Sequence, residues 1–93
     1  MKTKVLFRVM RGEVIALFPQ DVGTRDPFTC SCYAHIGQHS SALLWACVYQ
    51  SRPAAPKEYK DLARELRGIG YKLDIRQRAG RGDYAKRLAQ IGA

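Results

Sequence analysis

The sequence predicts an α+β fold. An antiparallel sheet, opened by a β-hairpin and extended by a third strand, precedes helix, helix and strand. One main helix packs on one face, and a flexible C-terminal extension follows. Three observations lead there. Two runs of β-formers, residues 5–10 and 13–18, flank Arg11-Gly12. An apolar stripe recurs at helical spacing from Tyr59 to Ile69, and residues 71–76 alternate strictly between apolar and polar.

Gly12 supplies the positive φ of a tight hairpin turn, and Pro19 ends the second run because it has no N–H for a ladder. Asp21, Gly23, Asp26 and Pro27 mark a loop. Residues 29–36 read as a third strand, with Cys30, Cys32, Ala34 and Ile36 on one face and Ser31, Tyr33 and His35 on the other. Gly37 breaks it.

Residues 40–50 fit either a helix capped by Ser40 or Ser41, with Leu44, Cys47 and Val48 inward, or a buried strand. A short helix is the reading adopted. Pro53-Ala54-Ala55-Pro56 forms a rigid link, and Pro56 suits the first turn of the main helix. Tyr59, Leu62, Ala63, Leu66 and Ile69 form its inward stripe, and Gly68 or Gly70 ends it. Tyr71, Leu73 and Ile75 point inward from the last strand, and Val5, Phe7, Val14 and Leu17 complete the predicted core. Residues 1–76 are thus expected as one domain. Residues 77–93 are expected as a basic, mobile extension, with a last helix begun by Asp83 and lined by Tyr84, Leu88 and Ile91.

The chain has 93 residues and a net charge of +8. Its longest apolar run, residues 42–49, is far too short to span a bilayer. Few apolar residues precede Arg8, which does not fit a secretion signal, so a cytoplasmic protein is expected. Three cysteines, an odd number, speak against a disulfide framework and for reduced thiols. Residues 57–93 carry ten Lys and Arg against five Asp and Glu. That balance favours polyanions, nucleic acid first among them.

The densest chemistry lies between Cys30 and His39, in the spacing C-x-C-x2-H-x3-H. Zinc sites usually space their cysteines by two to four residues, and His35 points away from both thiols on a strand. No metal, no other cofactor and no thiol enzyme is therefore expected, and the cysteines read as core packing. Tyr33, His35, Gln38 and His39 remain a candidate polar binding surface. Arg76, Arg78, Arg81, Lys86 and Arg87 form a second candidate set, flexible and cationic as phosphate-tracking segments are. There is no P-loop, dinucleotide glycine fingerprint or paired-carboxylate site. Arg81-Gly82-Asp83 spells an integrin-like tripeptide that chance explains.

Four segments carry a resemblance: Gly12-Glu13-Val14-Ile15-Ala16-Leu17-Phe18-Pro19, Tyr33-Ala34-His35-Ile36-Gly37-Gln38-His39-Ser40, Pro56-Lys57-Glu58-Tyr59 and Leu66-Arg67-Gly68-Ile69-Gly70-Tyr71. Together they resemble a group of small uncharacterised bacterial and phage proteins, over residues 4–76. The resemblance implies no activity. It includes the His35/His39 segment, does not require the cysteines, and leaves the residues after Arg76 as an individual extension. The expected function is a non-enzymatic binding module that contacts a polyanion or nucleic acid through its basic C-terminal region. The alternative is a protein–protein interaction or structural module of bacterial or phage origin, and a metal- or thiol-dependent enzyme ranks behind both.

Overall fold

A computed structural model describes residues 2–34 and 38–92. The α+β class holds. In chain order the elements are β1 (Thr3–Met10), β2 (Glu13–Phe18), β3 (Thr29–Ala34), β4 (Gln38–Leu43), α1 (Leu44–Tyr49), β5 (Arg52–Pro53), α2 (Pro56–Ile69), β6 (Leu73–Arg76) and α3 (Arg81–Gln90). The sheet order is β4-β3-β2-β1, and the outer edge of β1 pairs with β5 and with β6. All pairings are antiparallel except β1 with β6, which is parallel and sets Lys4 opposite Asp74.

The hairpin forms as its turn requires. Arg11 and Gly12 both have positive φ, 54° and 79°, and Met10 pairs with Glu13 across a two-residue loop. Residues 40–50 divide between both readings. Ser40 and Ser41 lie in β4 rather than capping a helix, because the open edge of β3 takes a full ladder from Ala34↔Gln38 to Thr29↔Leu43. The helix begins afterwards at Leu44, still with Leu44, Cys47 and Val48 inward.

Both faces of the sheet are covered. On one, Val5, Phe7, Ala16, Phe18 and Tyr33 meet Leu62, Ala63 and Leu66 of α2. Tyr59 stacks on Phe7 with ring centroids 4.5 Å apart, and Tyr71 stacks on Phe18 at 5.2 Å. Pro56 starts α2, and Gly70, at φ 123°, ends it. On the other face, Leu6, Ile15, Leu17 and Cys30 meet Leu44 of α1. Arg8 ties α1 down: its guanidinium donates to the carbonyls of Val48 and Ser51, each at 2.9 Å, and to Ser51 Oγ. Burial lowers the pKa of Arg8 from its ordinary value.

Two-sided burial corrects the expected role of Tyr33. It is buried in the α2-facing core and donates its hydroxyl hydrogen to Glu65 Oε2. Strand alternation separates the faces but does not make either of them the solvent side when helices cover both.

The stretch after β6 docks back on the sheet through α3. The stripe expected inward, Tyr84, Leu88 and Ile91, is not what seats this helix, since Leu88 is half exposed. Asp83 and Arg87, at i and i+4, are buried instead, and the exposed Gln90 follows at i+7. Arg87 Nε donates to Pro27 O at 2.8 Å and its Nη1 to Pro19 O at 2.6 Å. Gln90 Oε1 accepts from Val22 N at 2.6 Å. The loop between β2 and β3 presents carbonyls with no ladder to join, and α3 supplies their donors.

That loop also approaches β3 and β4 closely. A Cβ at Gly23 would lie 2.5 Å from both Cys30 O and Ser41 Cβ, whereas one at Gly68 would meet nothing within 4 Å. Gly23→Ala is therefore expected to lower stability by about 1–3 kcal/mol. Gly68→Ala, in a helix, should raise it by about 0.5–1 kcal/mol. Urea unfolding of the two variants checks both signs; an unaffected Gly23→Ala would contradict the close approach.

No helix among the described residues is long and apolar enough to cross a membrane.

Candidate polyanion-binding groove

Alternation along β1 sends Lys4 to the face opposite α2, between the inward Val5 and Thr3. The parallel register places Asp74 beside Lys4 and Arg76 beside Leu6, so both β6 polar side chains share that face. The chain then crosses the same face at residues 77–80, with Ala79 packed on the core, and enters α3. Asp83 stands at the third position of α3 and accepts from Gly80 N at 2.8 Å, satisfying a backbone donor at the helix start.

Asp83 also anchors the groove floor. Its Oδ2 accepts from Lys4 Nζ at 2.7 Å and its Oδ1 from Gln20 Nε2 at 3.0 Å. Burial pushes the Asp83 carboxyl up, but the hydrogen bonds from Lys4, Gly80 and Gln20 outweigh it and hold its pKa below the ordinary value.

Two concavities share Lys4 and Gln20, partners of Asp83. One, about 490 Å³, is lined by Lys4, Gln20, Asp74, Arg76, Gln77 and Arg78. The other, about 410 Å³, includes Lys2, Lys4, Gln20, Asp21 and Lys86. Lys4 and Gln20 line both, so the two adjoin between β6 and α3. Lys2, Arg78 and Lys86 are exposed and carry no ion pair among the described residues. Arg76 is exposed but shares its charge with Asp74 at 2.9 Å.

The two residue sets singled out by sequence fare differently. Arg76, Arg78 and Lys86 come together on the groove, and Lys2 and Lys4 join them from the far end of the chain. Arg81 is exposed at the first turn of α3 but lines neither concavity. Arg87 does not belong to a binding surface: it is 1% exposed and committed to Pro19 and Pro27. Only its i+4 spacing from Asp83 hinted at this, because that spacing is the one an inward helical stripe uses.

The histidine end forms a separate feature. His39 is exposed on β4, its Nε2 lies 3.0 Å from the Tyr71 hydroxyl, and it meets the Tyr33 ring edge-on at 4.6 Å. With Thr3, Ile69, Gly70 and Lys72 it lines a concavity of about 510 Å³. Gln38 opens β4 opposite Ala34. His35 lies outside the described residues, as do Ile36 and Gly37.

The thiols sit on the α1 side of the sheet. Burial, then the neighbouring Cys32 and Cys47, push the Cys30 thiol up to about 12. Cys47 is raised as well, mainly by burial. Cys30 is therefore a protonated thiol near neutral pH, which suits packing and not nucleophilic attack. Among the described residues, no three His, Cys, Asp or Glu side chains converge on a point where a metal ion would sit.

No family model, no curated protein and no solved structure matches this chain.

Proposed function

We propose that this protein is a binding module for a polyanion, nucleic acid foremost, and that the β6–α3 groove receives the phosphate backbone. The carrying observation is that cations from both ends of the chain, Lys2 and Lys4 with Arg76, Arg78 and Lys86, line two concavities that share Lys4 and Gln20, and that Lys2, Arg78 and Lys86 among them carry no ion pair among the described residues. Low-dielectric walls around clustered positive charge attract and concentrate anions.

Neutralising about three phosphates would release as many counterions. Affinity for nucleic acid should then fall roughly 20- to 40-fold between about 50 and 200 mM salt. Arg78→Ala and Lys86→Ala should each weaken binding and make the slope of log K against log salt shallower by about 0.7–0.9. Fluorescence anisotropy of a labelled oligonucleotide across a salt series measures both. Point substitutions serve better than truncation after Arg76, which would also remove the structural Asp83 and Arg87. Binding indifferent to both substitutions would refute the groove.

A second reading, a protein–protein interaction module, draws on the histidine end. There half-exposed Ile69 stands beside His39 and Tyr71 on a concavity that contains Lys72 as well. Refutation of the groove would turn the assignment to that surface.

A further inference from the structure

The groove does not end at Arg78. Gln77 and Arg78 also line a third concavity, about 410 Å³, on the other side of the 77–80 segment. Its remaining walls include Leu6, Trp45, Val48, Pro53 and Ala79. Apolar side chains join the polar ones there. Arg8 is on this wall, but its guanidinium is already spent on Ser51 and Val48. Arg78 is thus the cation of this recess with no partner among the described residues.

Trp45 is the informative residue in it. It is the only tryptophan in the chain and it is 47% exposed. Its neighbour Leu44 is the residue that seats α1 on the sheet, being fully buried. About half of the Trp45 surface is left exposed, in the recess that Arg78 also lines.

A basic track that ends at an exposed aromatic ring matches single-stranded nucleic acid, in which phosphates and unpaired bases are both available. A duplex offers the same phosphates but keeps its base faces stacked away. We propose, resting on the groove assignment above, that the ligand is a single strand, with its backbone passing Lys2, Lys86 and Arg78 and one base stacked on Trp45.

Trp45 is its own reporter. The probe is an oligothymidylate of about 12 nucleotides, within the span of single-strand sites, compared with a duplex of equal phosphate content. The single strand should quench Trp45 fluorescence and the duplex should not. Trp45→Ala should weaken single-strand binding roughly tenfold, while duplex binding and the salt slope stay unchanged. Trp45→Phe should retain most of the affinity, and it keeps the test available if the alanine variant fails to fold.

If the single strand binds with salt dependence, yet without quenching and with equal affinity to Trp45→Ala, stacking is overturned and the groove stands. A duplex that quenches Trp45 equally overturns the single-strand preference. If neither probe binds at low salt, the groove itself fails and takes this proposal with it.

Discussion

Arg87→Ala is expected to remove about 3–5 kcal/mol of stability, a large share of what a domain of this size possesses. The substitution leaves the Pro19 and Pro27 carbonyls without their donor and opens a void where a fully buried side chain stood. The Arg87 guanidinium also lies 5.6 Å from the Tyr84 ring centre, a contact that would be lost too. The melting temperature should fall by more than about 12 °C. Lys86→Ala, one residue earlier and exposed, should change stability by less than about 0.5 kcal/mol. Thermal and urea unfolding of the pair checks the contrast. Arg87→Met keeps the apolar stem but not the donors. If it matched the wild type, stem packing rather than the carbonyl bonds would hold α3.

The second large effect belongs to Asp83. Asp83→Asn removes the partner of Lys4, whose side chain is itself mostly buried, and should cost about 2–4 kcal/mol at neutral pH. The wild type should show the same loss on acidification. The folded-state pKa of Asp83 is depressed below its ordinary 3.8. A depressed carboxylate stabilises the fold above its unfolded pKa and loses that contribution as pH falls through the folded value. Stability should therefore decline below about pH 4 in the wild type and decline less in Asp83→Asn. Glu58 acts in the same direction, since the Arg52 fork and the Ala55 N–H lower its pKa from 4.5 to about 2. A residual acid dependence in Asp83→Asn is accordingly expected, and Glu58→Gln should reduce it. Equal acid sensitivity in wild type and Asp83→Asn would contradict the pairing. Because Lys4 lines the groove, Asp83→Asn should also tighten nucleic-acid binding by the fraction that remains folded.

The opposite fates of Lys86 and Arg87 show where one-dimensional reading stops. Both are cations in a basic run, and composition alone treats them alike. Only the position of the β2–β3 loop, with its unpaired proline carbonyls, separates a surface charge from a buried anchor. Trp45 is a related case. Helical spacing placed Leu44, Cys47 and Val48 inward and made Trp45 and Tyr49 a second such pair, but the value of Trp45 lies in Arg78, distant by 33 positions and brought to the same recess by the 77–80 crossing. Lys2 and Lys4 reach the groove only because β6 pairs in parallel with β1. Parallel pairing has no local signature, since its partner lies many residues away.

Elements specified by short-range chemistry were readable from the chain. The hairpin needed two positive φ angles at Arg11-Gly12. The main helix needed Pro56 at its start, a 3.6-residue stripe and Gly70 at its end. The Leu73/Ile75 alternation gave the last strand its inward face. Tertiary structure alone decided that both sheet faces are covered, which edge strand β4 would complete, and which charges were free. Those outcomes depend on partners remote in sequence. Burial of a polar group such as Asp83, Arg87 or Tyr33 is stable only when a distant donor or acceptor arrives to satisfy it.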